Sequence, residues 1–350
     1  DRFLDTRGLD GNFAAGGRAA ADSVVRVPVA GLGDVPGDAT GVVANLAVVA
    51  PDAAGFATLF PCTDEVPWAS HVNYVPGDLV SNNTVVPLSA DGDVCVYTLA
   101  PADLVLDVNG YVPAGSPLGQ FSPTRLIDTR EGAGTPVPAG GQVVLQLGGV
   151  ADIPLDATAA IVNVTAVSPA GNGFVSAYPC TGDPQAASTI NYLAGQVVPN
   201  GAVAPLSADG ELCVYTSAAA HLVVDVAGFV PAGAEGIGRT VPLRLFDSRP
   251  DNRFTDGQVV EVQVAGRGPI PADATAALLN VAIVLPDGPG HVSLTPCTGG
   301  PVTTSNLNHA PGTLLRANNT TTQLSPRGSV CVYSYRGAHI VVDITGWLTP

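Results

Sequence analysis

Three aspartates stand inside otherwise apolar runs: Asp107 in LVLDVNGY, Asp225 in HLVVDVAGF and Asp343 in IVVDITGW. Successive ones are 118 residues apart. A carboxylate in such a run can be a general acid, a metal ligand or half of an ion pair, because an unpaired buried charge neutralises itself instead. A cation is at hand in every case. RFLDTR, RLIDTR and RLFDSR supply Arg2 and Arg7, Arg125 and Arg130, and Arg244 and Arg249, about one hundred residues upstream of each aspartate. All 14 basic residues are arginine, whose planar fork binds a carboxylate through two parallel hydrogen bonds. The expected arrangement is a structural clamp: the last strand of each unit lies beside its opening segment, and one arginine holds the strand aspartate. Calcium is the alternative, with Asp5, Asp128 and Asp247 joining the strand aspartates as oxygen ligands. No DxDxDG-like loop supports it, so neither a metal nor a cofactor is expected.

The other repeated polar residues are amides and thiols. Asn45, Asn163 and Asn280 stand mid-strand in VVANLAVV, AIVNVTAV and ALLNVAIV. Asn73, Asn191 and Asn308 follow in HVNY, TINY and NLNH, and Asn82, Asn200 and Asn318 in what read as loops before PLSADG, PLSADG and QLSPRG. Structural amides are expected, since a buried polar group must be satisfied; hydrogen bonds to sugar hydroxyls are the alternative. Sequons at Asn82, Asn163, Asn318 and Asn319 carry little weight, the motif being short. The cysteines fall as Cys62/Cys95, Cys180/Cys213 and Cys297/Cys331, each pair running from a Pro-Cys-Thr turn to a Cys-Val-Tyr strand. Regular pairing without CxxC spacing points to three disulfides in an oxidising compartment and away from zinc. There is no GxSxG, HExxH, P-loop or dinucleotide fingerprint, and the five histidines share no position across all three units. No catalytic residue is expected.

The elements that must position these residues come in three copies. A period near 118 is too long for a solenoid and matches a whole domain. The units are 1–113, 114–231 and 232–350, joined by the Pro/Gly-rich stretches PAGSPLGQFSP (113–123) and PAGAEGIGRTVP (231–242). Linkers this short predict closely coupled domains. Within a unit, short Val/Ile/Leu/Thr runs end at Gly, Pro, Asp or Asn; 143–147, 160–167, 173–178, 212–216 and 221–226 are examples. The expected fold is all-β: three tandem β-sandwich domains of about seven to nine strands, each with one disulfide, with a closed β-barrel as second choice. The Ala-rich run at 14–25 reads as turn and strand. Alternation puts Asp225 on a mixed face with Val223 and Ala227, at a sheet rim or under a covering segment.

Composition bounds the partners. With 46% hydrophobic residues the chain can bury a sizeable core. A net charge of −16 disfavours nucleic acid and anionic membrane, and no apolar run reaches transmembrane length. The absence of methionine predicts a processed or excerpted start. Together RLxDTR, NVT, STINY, CVYT and VVDVxGF resemble a domain found singly or in tandem in large secreted and cell-wall-associated proteins of high-GC Gram-positive (actinobacterial) bacteria. The resemblance covers nearly the whole chain, three times over. It implies secreted, β-rich accessory modules at the cell surface, with no catalytic residues to carry over; the cysteines look like an addition to the pattern.

Two functions are weighed. The first is a non-catalytic extracellular structural protein, a cell-surface filament, stalk or array built by non-covalent self-assembly, with head-to-tail contact of successive chains. The second is a module binding carbohydrate or cell-wall polysaccharide through triplicated weak sites. Aromatic platforms look scarce for the latter. Trp68 occurs in the first unit only, and Trp347 aligns with Tyr111 and Phe229; both read as core or rim.

Overall fold

The computed structural model describes residues 2–8, 17–63, 65–132, 134–150, 152–181, 188–234, 236–297, 306–309 and 312–350, and of residues 239, 241 and 242 the backbone only. The described residues form 24 strands and no helix, eight strands to each repeat. Repeat 1 holds β1 (Arg2–Asp5), β2 (Ser23–Pro28), β3 (Gly41–Val49), β4 (Gly55–Pro61), β5 (Val72–Tyr74), β6 (Leu79–Pro87), β7 (Asp93–Thr98) and β8 (Asp103–Val112). Repeat 2 holds β9 (Gly119–Asp128), β10 (Gly141–Gln146), β11 (Ala159–Val167), β12 (Gly173–Pro179), β13 (Ile190–Tyr192), β14 (Val197–Pro205), β15 (Glu211–Thr216) and β16 (His221–Val230). Repeat 3 holds β17 (Ile237–Asp247), β18 (Gln258–Gln263), β19 (Ala276–Val284), β20 (Gly290–Pro296), β21 (Leu307–His309), β22 (Leu315–Gln323), β23 (Ser329–Ser334) and β24 (His339–Leu348).

Each repeat contributes two four-stranded antiparallel sheets, in repeat 1 of order β1-β8-β3-β6 and β2-β7-β4-β5, and the other repeats copy it. One apolar cluster per repeat draws side chains from both of its sheets, such as Leu46, Leu104 and Leu106 with Leu59, Val94 and Val96. These cores are Val, Leu, Ile and Ala with few aromatics, which suits β-branched packing on pleated surfaces. The six sheets are arranged as a propeller-like ring, closed because repeat 3 touches repeat 1 as repeat 1 touches repeat 2.

Two stretches differ from expectation. Asn82, Asn200 and Asn318 lie within β6, β14 and β22, paired along their length with β3, β11 and β19. They read as loop because Asn and Pro are turn residues; each pairs as a strand with its own repeat's central strand, and its asparagine amide finds a partner across the seam in the neighbouring repeat. The joining stretches are also shorter. β9 and β17 begin at Gly119 and Ile237 and pair with β16 and β24. A glycine lets each pass the aromatic ring of the closing strand: a Cβ on Gly119 would sit 2.1 Å from Phe229, and one on Gly238 2.0 Å from Trp347. Of the run 14–25, residues 14–16 lie outside the described residues; the rest holds a bridge at Ala19 and the start of β2.

Candidate functional site

The first and last strands of each repeat are neighbours, and their register sets the charges opposite one another. In the central rows Arg2, Asp107 and Asn45 stand side by side across three strands, as do Arg125, Asp225 and Asn163, and Arg244, Asp343 and Asn280. Directly opposed residues share a face. Arg2 donates from Nε to Asp107 Oδ1 at 2.8 Å and from Nη2 to Oδ2 at 3.2 Å. Arg125 does the same to Asp225, at 2.8 and 3.1 Å. Arg244 grips Asp343 through the same two nitrogens. The second arginine of each motif, Arg7, Arg130 or Arg249, holds the motif's own aspartate, Asp5, Asp128 or Asp247, with Nε–Oδ1 distances of 2.8 to 2.9 Å.

The charge balance within these pairs is uneven. Burial would raise the Asp5 carboxyl, but hydrogen bonds from Arg7 outweigh it and hold it below the ordinary value. The Arg130 guanidinium lowers Asp128, and Arg249 brings Asp247 down to about 2. Asp343 goes the other way: its burial pushes the carboxyl up, and Arg244 only partly offsets this. The oxygens proposed for calcium are thus already hydrogen-bonded by guanidinium. Among the described residues no group of three or more His, Cys, Asp or Glu side chains is placed to hold a metal ion.

What covers the aspartate face in repeats 2 and 3 is the preceding repeat. The Ser70 N–H of repeat 1 donates to Asp225 Oδ2 at 3.1 Å, and the Asn163 amide donates to the Ser70 carbonyl. Asn280 repeats this on the Ser188 carbonyl at 2.8 Å. Asn82 reaches across with Nδ2 to Asn163 Oδ1 at 2.8 Å, and its Oδ1 accepts from Gly201 N–H at 3.0 Å. Asn200 joins repeat 2 to repeat 3 through Asn280 Oδ1 and Asn319 N–H, each at 2.8 Å. Asn318 joins repeat 3 to repeat 1 through Asn45 Oδ1 at 3.1 Å and Asn83 N–H at 3.2 Å. The cycle is complete, and its members are buried. The four sequon asparagines are therefore shut away inside the ring. Asn73, Asn191 and Asn308 lie outside the cycle, half-buried in β5, β13 and β21; Asn73 accepts from Ser70 Oγ and Asn191 donates to Ser188 Oγ.

The cysteines are joined as Cys62–Cys95, Cys180–Cys213 and Cys297–Cys331, each with Cα atoms 5.0 Å apart. Each ties the end of β4, β12 or β20 to the adjacent β7, β15 or β23. Three disulfides fit a non-reducing environment. Among the described residues no helix is long and apolar enough to cross a membrane.

Some contributors were hidden in the sequence. His71, Thr189 and Asn306 occupy one position and accept from one backbone N–H, that of Leu59, Ala177 and Leu294, at 3.0, 3.0 and 2.7 Å. Their types differ, so only the aligned position could have revealed the shared role. Burial lowers His71 to about 4, and with Nδ1 accepting, Nε2 carries the proton.

Along the seam between repeats 1 and 2 runs an open groove. A cleft of about 220 Å³ is lined by Phe56, Trp68, Asn73, Arg125, Arg130 and Thr165. Trp68 is 72% exposed, neither core nor rim, and meets Phe56 edge to face at 6.3 Å. A larger hollow of about 640 Å³ shares Phe56, Asn73 and Arg130 with the cleft and reaches Arg316 of repeat 3. Arg316 donates to the Leu79 carbonyl at 3.0 Å, and burial lowers its guanidinium below the ordinary value. Trp347, by contrast, is buried.

No family model matches the chain. No curated protein matches it either. Two solved structures are similar at 11% identity, each covering 93% of this chain and 83% of its own: one described as the triple jelly roll fold and turret assembly in an archaeal virus (TM-score 0.20), the other as Sulfolobus Turreted Icosahedral Virus (TM-score 0.19). At such scores the likeness carries no argument for this chain.

Proposed function

We propose that the chain is a non-catalytic extracellular structural protein. Its three β-sandwich domains, 1–113, 114–231 and 232–350, act as one rigid building block of a cell-surface filament, stalk or array, assembled non-covalently. It belongs on this reading with the actinobacterial surface repeats that its motifs resemble. The observation that carries the proposal is the asparagine cycle. The polar residues repeated in all three units, which would otherwise be the natural candidates for a catalytic or ligand-binding set, are bonded to one another and to neighbouring backbone. What the molecule presents outward is a stiff, disulfide-tied scaffold suited to carrying load.

Closure also bears on how copies meet. The facing surfaces of repeats 1 and 3 are joined within one chain, so a head-to-tail joint between chains uses outer surfaces of the ring. Exposed apolar side chains there include Leu155, Leu285 and Leu314. Electron microscopy of the purified chain, with light scattering over a concentration series, tests this. Filaments or lattices that grow with concentration are expected. Monomers at every concentration, with no ordered assembly, would sink the proposal.

A further inference from the structure

The three repeats are close copies, so the places where one repeat departs from the other two are informative. Three such departures line one groove. Trp68 stands in repeat 1 only. Thr165 in β11 replaces the alanine found as Ala47 in β3 and Ala282 in β19. Arg316 in β22 replaces Val80 in β6 and Val198 in β14. Trp68 and Thr165 meet in the cleft between repeats 1 and 2, and Arg316 lies in the hollow that continues it.

Thr165 makes the cleft unusual. It is 2% exposed, and its hydroxyl has no hydrogen-bond partner. A buried hydroxyl is normally satisfied, and alanine at this position in the other repeats shows that the fold does not need it. Thr165 lines the same cleft as the exposed indole of Trp68 and the half-buried amide of Asn73, with its hydroxyl set just below the accessible surface. An indole flank for stacking, with a hydroxyl and an amide set back beside it, is the combination that receives an amphipathic ring bearing hydroxyls.

We propose that the seam between repeats 1 and 2 is a binding groove for a neutral polysaccharide. A sugar ring stacks on Trp68, Asn73 hydrogen-bonds its hydroxyls, Thr165 Oγ1 joins once a small shift of the cleft wall uncovers it, and the chain runs on past Arg130 toward Arg316. Charge selects a neutral glycan over an acidic one. Arg125 is paired with Asp225 and Arg130 with Asp128, so the cleft offers N–H donors with little net charge. The continuous groove, cleft and hollow together, is longer than one sugar and calls for an oligosaccharide. The site is single, in place of the triplicated weak sites that the repeats suggest. It is independent of assembly, since a ring without ligand can still polymerise.

Calorimetry and tryptophan fluorescence on the intact chain test it, with neutral hexaoses (cello-, xylo-, manno-, malto- and chito-series) and tetragalacturonate as the acidic probe. At least one neutral hexaose is expected to bind at one site per chain and to shift the Trp68 emission. Thr165→Val keeps the side-chain volume and removes only an unpartnered hydroxyl. It should leave the melting temperature unchanged or raised while weakening binding about 10-fold. Trp68→Ala should abolish the fluorescence response and weaken binding by more. Binding unaffected by Thr165→Val, three equal sites per chain, preference for the acidic probe, or no binding across the neutral series would each overturn the proposal.

Discussion

A single hydrogen-bonding position shows how much latitude a residue has when its job is fixed by geometry. The buried N–H of Leu59, Ala177 or Leu294 needs an acceptor; His71, Thr189 and Asn306 each provide one. Only the histidine titrates. Its folded pKa is about 4 against an ordinary value of 6.5, so between those limits the unfolded chain binds a proton that the folded chain refuses. Stability from this group is therefore complete above pH 6.5 and declines as pH falls toward 4, by roughly 3 kcal/mol for a shift of this size. His71→Asn copies repeat 3, keeps an acceptor in place and should make that stretch of the curve shallower, the remainder belonging to His309, which burial also lowers to about 4. Urea unfolding at pH 7 and pH 4.5 checks it: an unchanged slope with pH in the variant would show that His71 is not the source.

At the scale of elements, the apolar strands were legible and their neighbours were not. Runs such as 160–167 and 221–226 announce themselves by Val and Ile, and they are β11 and β16 within a few residues. The strand aspartates were legible as charges needing cations, because each repeat brought its own arginines. β14, with Asn200 and two prolines, reads as loop because Asn and Pro are turn residues and the amide's cross-seam partners lie in another repeat, which no local pattern encodes. Trp68 shows the same limit, since its exposure depends on how a turn lies over the next repeat. β6, β14 and β22 should therefore be the elements most sensitive to loss of an amide. Asn82→Ala strands Gly201 N–H, Asn163 Oδ1 and the His71 carbonyl in a buried seam, with an expected cost of about 3 kcal/mol. A loss below about 1 kcal/mol in denaturant unfolding would mean that water replaces these bonds freely.

Taken whole, the molecule joins three separate apolar clusters with a polar hub. Three independent domains would melt in up to three steps, while a hub that each repeat needs makes them depend on one another. Calorimetry should show one cooperative transition for the native chain, its calorimetric and van't Hoff enthalpies agreeing. Asn82→Ala should broaden or split it by weakening the seam between repeats 1 and 2. A native chain that already melts in resolved steps would mean that the hub couples the repeats too weakly to act as one block. The disulfides lie inside repeats, so they add about 3–4 kcal/mol each by limiting the unfolded chain and leave the coupling to the asparagines.

The hub also governs how the molecule ages. Asn200 is followed by Gly201, the dipeptide in which an asparagine most readily deamidates, by attack of the following backbone nitrogen on its side-chain carbonyl. In the closed ring that nitrogen donates its hydrogen to Asn82 of the neighbouring repeat, 3.0 Å away, and the Asn200 carbonyl oxygen accepts from Asn319. Both reactants are engaged elsewhere and held in an extended strand. A ring that stays shut protects this bond, and a chain that opens repeatedly acquires a negative charge where the hub must be neutral. Conformational closure thus becomes chemical shelf life, and peptide mapping of aged protein would read at Asn200 how often the ring has been open.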